Sequence, residues 1–255
     1  MNTKLFPAVP PSLKLWRTSI LLLAGLLVWP VQIWAEDVNS AAAKDVSATA
    51  TVQVKPPPAQ ELKPILLPKP QTDGGKPLMQ ALKDRKTSRE FSTEKLPPQI
   101  LSNMLWAACG INRPDGKRTA PTAMNKQEID VYVAMAEGLY LYDANAHILL
   151  PVLAEDIRAA MGKQPFVKDA PVNLVFVADF SKMGNAPDEQ KQFYAGTDTG
   201  YVSQNVYLYC ASEGLATVVR GSVDKPALAL AMKLPDNKKI ILAQTVGYPR
   251  KEAGR

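Results

Sequence analysis

Apolar side chains recur at two different intervals along this chain, and each interval predicts a different kind of element. Over residues 77–86, Leu78 and Leu82 lie one helical turn apart behind a proline suited to a first turn. A second helix is predicted from Pro97-Pro98, with Ile100, Leu101, Met104, Leu105 and Ala108 turned inward and Gly110 as its cap. The period then falls to two. Val131-Tyr132-Val133-Ala134-Met135, Leu139-Tyr140-Leu141-Tyr142 and His147-Ile148-Leu149-Leu150 read as short antiparallel strands, with Asp143-Ala144-Asn145 as a turn. A helix is expected at about 153–161, and the nearly continuous apolar run 172–178 suits a central strand covered on both faces. Residues 196–213 carry the longest helical pattern, in which Val202, Val206, Leu208 and Tyr209 lead to Gly214 as a cap. A short helix at 225–232 and a closing strand at 239–246 complete an α+β fold, a mostly antiparallel central sheet flanked by helices.

Neither period holds ahead of residue 64. Lys4, Lys14 and Arg17 precede an apolar run at 20–34 that Pro30 interrupts and Ala35-Glu36 ends. That layout predicts a signal peptide over 1–35, cleaved near Ala35, for an exported, periplasmic protein; the alternative is a retained inner-membrane anchor, because the run approaches spanning length. No cysteine adjoins the run and no twin-Arg pair precedes it, so neither lipid attachment nor export in a prefolded state is indicated. Residues 36–63 are rich in Ala, Val, Ser and Thr and then in Pro, which predicts an extended, disordered linker. Its continuation, Ile65-Leu66-Leu67-Pro68, is apolar enough to dock on the domain expected over 64–255.

Composition narrows the chemistry. The apolar share of 46% is sufficient for a buried core. The formal charge of +6 falls to +3 once the three cations of 1–35 are removed, so the basicity does not argue for a nucleic-acid partner. Cys109 and Cys210, the only cysteines, both lie in apolar helical segments and read as buried free thiols, although an exported compartment would permit a disulfide. With a single histidine, His147, placed in an alternating run as a strand residue, no metal site is expected. Asp143, Asp179, Asp198 and Glu137 have no spacing that implies an acid–base dyad.

Asp84-Arg85-Lys86-Thr87-Ser88-Arg89-Glu90-Phe91 places three cations and two hydroxyls within five residues at a helix end, a set able to hold a phosphate. Some thirty residues later Ala120-Pro121-Thr122-Ala123-Met124-Asn125-Lys126-Gln127 offers hydroxyl and amide groups for a planar heterocycle. Taken singly, these read equally as a solvated cationic helix end and a polar turn. Together with Leu105-Trp106-Ala107-Ala108-x-Gly110-Ile111, Gly138-Leu139-Tyr140-x-Tyr142-Asp143, Gly214-Leu215 and Gly247-Tyr248-Pro249, in this order and spacing over about 67–249, the chain resembles the nitroreductase-like family of FMN-dependent oxidoreductases. It is most similar to the branch that contains the azoline-oxidising dehydrogenases.

What the resemblance implies can be carried over residue by residue. Arg85 would bind the FMN phosphate or ribityl oxygens and Arg89 would lie near the pyrimidine edge, with Lys86 and Thr87 beside them. Thr122, Asn125 and Gln127 match a loop that reaches the flavin of the other subunit, which implies a homodimer; Met124 and Lys126 depart from the small residues usual there. Gln164 stands about where the family places an amide on the pyrimidine edge, with Lys163 competing for that register. Val218-Val219-Arg220-Gly221 matches the segment against the ring face. Its glycine permits close approach, and Arg220 replaces an acidic or neutral residue or else is an exposed cation. Arg250, between Pro249 and Lys251, would complete the phosphate site.

The implied activity is hydride or electron transfer through flavin N5 between an electron donor or acceptor and a small-molecule or peptide substrate that the sequence does not name. The absence of an acid–base dyad agrees with chemistry carried by a cofactor. Two other readings compete: a non-catalytic flavin-binding protein, and an envelope scaffold using the Pro-rich stalk.

Overall fold

Residues 61–251 are described by a computed structural model, so the expected signal peptide and all but the last three residues of the linker 36–63 lie outside the described residues. There are seven strands among the described residues, β1 (Ile65–Leu66), β2 (Ile129–Met135), β3 (Gly138–Asp143), β4 (Ile148–Leu153), β5 (Val172–Asp179), β6 (Ala216–Arg220) and β7 (Lys238–Gly247), of which β1 and β6 were not expected as strands. They form one sheet in the order β1-β4-β3-β2-β5-β7-β6, and every pairing is antiparallel. The helices are α1 (Leu78–Asp84), α2 (Pro98–Cys109), α3 (Phe166–Asp169), α4 (Asp188–Glu213) and α5 (Lys225–Ala231).

The run 172–178 is apolar without alternation because β5 is covered on both faces, and all eight of its residues are buried. Leu174 and Phe176 pack with Leu101, Met104 and Leu105 of α2 and Val202 and Val206 of α4. Val175 and Val177 face the other way, onto Val167, Leu228, Met232 and Met161. The sheet is thus the middle of three layers. The segment before α1 docks as expected: Ile65 pairs with Leu149 and Leu66 with Ile148.

Two features here differ from expectation. The helix expected at 153–161 is instead the end of β4 followed by a single 3₁₀ turn, Arg158–Met161. Pro151 is tolerated in β4 because β1 covers only Leu149 and Ile148, which leaves the outer side of β4 without a strand to receive an N–H there. Gly110 follows α2 but is extended (φ −69°, ψ 160°); a Cβ there would collide with the Trp106 ring, so the glycine serves close approach and not a left-handed cap. Gly214 is the left-handed cap expected of it, with φ 72°.

His147 lies outside the strand, in the turn before β4, with φ 53°. Tyr142 OH and His147 Nδ1 are 2.9 Å apart, His147 Nε2 and Ser102 Oγ 2.7 Å, and Ser102 Oγ donates to Pro68 O at 2.5 Å. A neutral imidazole with its proton on Nε2 satisfies all three bonds, and burial lowers the His147 pKa accordingly. The residue therefore ties the docked strap to α2 and β3. Cys109 and Cys210 are free and buried, and burial pushes the Cys109 thiol up to about 11.

Candidate functional site

At Arg85 the helical dihedrals end (φ −55°, ψ 117°), and the chain runs extended beside β6, where the Ser88 N–H donates to Thr217 O at 2.9 Å. Tyr207 of α4 fixes both segments. Its ring lies 5.3 Å from the Arg85 guanidinium, its hydroxyl is 3.1 Å from Thr87 Oγ1, and the same hydroxyl accepts the Val219 N–H at 2.9 Å. Lys86 and Ser88 line a cleft of about 500 Å³ with Tyr207, Gly214, Thr217 and Pro249. Past Phe91, which bridges to Pro249, the Arg250 N–H donates to Glu90 O at 3.2 Å. Arg89 and Arg250 line a neighbouring hollow of about 260 Å³ with Phe166 and Asp169.

The structure thus collects Arg85, Lys86, Arg89 and Arg250 along the end of the β6–β7 pair. Among the described residues none of the four forms an ion pair with a carboxylate. Asp84 lines the cleft with Lys86, and Glu90 and Asp169 line the hollow with Arg89 and Arg250, so the edge holds acids as well as cations. What marks it for an anion is that none of its four cations is tied up in an ion pair.

Arg220, which the sequence left open as an exposed cation, is buried with 5% of its surface accessible. Its Nη1 donates to Met161 O at 2.5 Å, its Nη2 to Asn173 Oδ1 at 3.1 Å and its Nε to Thr245 Oγ1 at 3.2 Å. Burial lowers its pKa to about 10, which leaves it protonated at neutral pH. Gln164 lies beside it. A Cβ on Gly162 would collide with Arg220 Nη1 and stand 2.9 Å from Gln164 Oε1, so only glycine lets the chain pass both side chains. Gln164 Oε1 is buried and has no hydrogen-bond partner. Gly221, directly after Arg220, is exposed.

Thr122, Asn125 and Gln127 form a separate structure. The Ala123 N–H donates to Asp198 Oδ2 of α4 at 2.9 Å, and the Gln127 N–H donates to Thr122 Oγ1 at 2.9 Å. Gln127 Nε2 donates to Gly116 O at 3.0 Å and Asn125 Oδ1 at 3.2 Å. Met124, Asn125 and Gln127 all have positive φ (52°, 54° and 50°), a conformation costing roughly 1–2 kcal/mol per residue that persists only where the surroundings impose it. Asp198 anchors this loop and Tyr207 anchors the Arg85 segment. Nine residues of helix separate them, about 14 Å along the axis of α4. Within one chain the two predicted groups are not brought together.

A pair that sequence spacing did not reveal lies under the loop. Glu128, just before β2, and Asp198 are both buried, one carboxyl beside the other. Among the described residues neither Glu128 oxygen has a hydrogen-bond partner. Desolvation, and then the neighbouring Asp198 carboxyl, raise the Glu128 pKa to about 7. Seventy residues part them in sequence, so no local motif could announce the contact.

A phosphate with a planar, hydrogen-bonding heterocycle fits these residues. The unpaired cations suit the phosphate, and the orphaned Gln164 carbonyl is an acceptor awaiting an N–H donor. The nitroreductase family model matches residues 82–248, and the chain belongs to the nitroreductase family, whose members are typically flavin-dependent oxidoreductases. A crystal structure of a protein from Ralstonia eutropha JMP134, named a nitroreductase, is 43% identical with a TM-score of 0.71, over 74% of this chain and 90% of that one. A Methanocaldococcus jannaschii protein that also carries a nitroreductase name is 30% identical over 54% of this chain and 75% of its own length. The E. coli microcin synthetase McbBCD complex shares the fold at 19% identity, with a TM-score of 0.59 over 66% of this chain and 70% of that one. The seven-stranded antiparallel sheet flanked by helices is the nitroreductase fold.

Proposed function

We propose that this protein is an FMN-dependent oxidoreductase, active as a homodimer and closest to the azoline-oxidising branch of its family. The observation that carries the reading is the edge of four unpaired cations beside a buried amide carbonyl with no partner. Arg85, Lys86 and Arg250 would hold the phosphate, each charge-assisted bond contributing roughly 1.5–3 kcal/mol. Arg89 and Gln164 would orient the pyrimidine edge, and the exposed Gly221 would allow close approach to the ring face. When bound, FMN supplies two-electron transfer, while the chain supplies position and field. The Val219 N–H is already held by Tyr207, so that donor stiffens β6 and is not offered to a ligand.

The second half of the pocket would come from Thr122, Asn125 and Gln127 of another copy. The apolar surface for such an association exists: Leu78 and Met79 of α1, Met124, and Phe193 and Tyr201 of α4 are all exposed. The branch assignment draws support from the sequence fragments together with the shared fold of the microcin synthetase complex. On the pattern of residues 1–63 we place the working protein outside the cytoplasm.

Purified protein is expected to be yellow or to take up FMN, and to prefer FMN to FAD, since the sequence has no glycine-rich dinucleotide fingerprint. In the same titration Arg85→Ala should weaken FMN binding by about 1.5–3 kcal/mol, roughly ten- to a hundredfold. Colourless protein without flavin binding at micromolar concentration would refute the reading. Unchanged affinity in the variant would make Arg85 a solvated helix end.

A further inference from the structure

We propose that Arg220 acts as the residue that tunes the electron affinity of the bound flavin, a fixed buried cation that favours the reduced, more negative form over the oxidised one. This rests on the FMN reading above and goes beyond it by giving one residue a measurable effect on the redox equilibrium.

The argument starts from an unbalanced charge. Arg220 is buried, and its three hydrogen-bond partners, the Met161 carbonyl, the Asn173 amide and the Thr245 hydroxyl, are all neutral. No carboxylate forms an ion pair with it, and burial alone accounts for its shifted ionisation. Burying an ion without a counter-ion is costly, and an apolar residue of similar volume is often as stable or more stable. The residue is therefore poorly explained by packing.

Its setting is also rigid. Asn173 Nδ2 donates to Val167 O at 2.8 Å, which turns Oδ1 towards Arg220, and Thr245 Oγ1 lies 2.6 Å from the same Oδ1. The guanidinium cannot swing away from a ligand or out to solvent without breaking this network. In a site partly screened from water such a charge acts over several ångströms without contact. Beside it lies the unpartnered Gln164 carbonyl, since a Cβ on Gly162 would touch both Arg220 Nη1 and Gln164 Oε1, so the cation lies within a few ångströms of the amide proposed to meet the pyrimidine edge.

Reduction of FMN by two electrons with uptake of one proton leaves the cofactor one unit more negative. The two electrons come from the external reductant and the proton from solvent, and no bond to Arg220 forms or breaks. A positive charge held near the ring strengthens binding of the reduced form relative to the oxidised one, which is the same as raising the midpoint potential.

The test measures dissociation constants for oxidised FMN and, anaerobically with dithionite, for reduced FMN in the same protein. The parent is expected to bind reduced FMN at least tenfold more tightly, equivalent to a midpoint about 30 mV above that of free FMN. Arg220→Met should lower that ratio at least tenfold while changing the affinity for oxidised FMN far less, and Arg220→Lys should keep most of it. A purely structural role would weaken both forms together and leave the ratio unmoved. A ratio of one or less in the parent, or the parent's ratio in a folded Arg220→Met protein, overturns the proposal. Should the methionine variant not fold, the parent ratio decides. Failure to bind either form would overturn the flavin reading itself and this inference with it, whereas binding with an indifferent ratio overturns only the role of Arg220.

Discussion

At pH 8 the Glu128→Gln protein is expected to be about 3 kcal/mol more stable to urea than the parent, and at pH 5 the two should agree within about 1 kcal/mol. Glu128 is buried at the start of the sheet beside Asp198, and the Lys182 charge only weakly favours its ionised form. Its pKa is raised to about 7, first by desolvation and then by the neighbouring Asp198 carboxyl, against an ordinary value of 4.5. The sign follows from linkage. Between those values the folded chain binds a proton that the unfolded chain has released, so stability is complete below about 4.5 and is lost as pH rises through 7. Glutamine keeps the shape and a donor for Asp198 but has no proton to lose, so the variant should not show this loss. Parallel pH profiles for the two proteins would show that water or a rearrangement has relieved the pair. Because Asp198 also holds the Ala123 N–H, ionisation of Glu128 strains the anchor of the loop at 122–127, and FMN affinity should fall over the same interval.

How much of this could be read in advance depends on whether the signal is local. The strands β2, β3, β5 and β7 were legible because burial on one or both faces writes itself into the period of the apolar residues. The beginning of α4 was not. It starts at Asp188, eight residues before the predicted helical pattern, and Asp188-Glu189-Gln190-Lys191-Gln192 carries no apolar stripe because that first turn projects into solvent. In the site, the cations of the Arg85 segment were legible as a group able to hold a phosphate, whereas Gln164 was reached only through the family resemblance, with Lys163 competing for its place. What could not be foreseen is their surroundings: Arg220 buried among neutral partners, Tyr207 clamping Thr87 to Val219, and Glu128 meeting Asp198 are all contacts between distant parts of the chain.

The separation along α4 leads to the remaining prediction, which concerns two chains. A chain carrying Arg85→Ala and Arg89→Ala lacks the cations proposed for the phosphate and the pyrimidine edge, and a chain carrying Asn125→Ala lacks an amide of the loop proposed to reach across, so on this reading each homodimer should bind FMN poorly at both of its sites. In a mixed dimer one site receives both lesions, while the other takes Arg85 and Arg89 from the second chain and Asn125 from the first, and is intact. Subunit exchange should therefore restore about one tightly bound FMN per mixed dimer, half of the dimers being mixed when exchange is random. The anchors of the two groups stand about 14 Å and about two and a half turns apart along α4, hence on opposite sides of the helix, which is why the second group is proposed to come from another chain. The exposed Leu78, Met79, Phe193 and Tyr201 provide the surface on which a second copy would sit. Equilibrium titration of FMN into the separate and mixed variants, with mass determined in solution, checks both halves of the argument. A monomer that still binds flavin, or a mixture that binds no more than the average of its components, would show that each chain completes its own pocket.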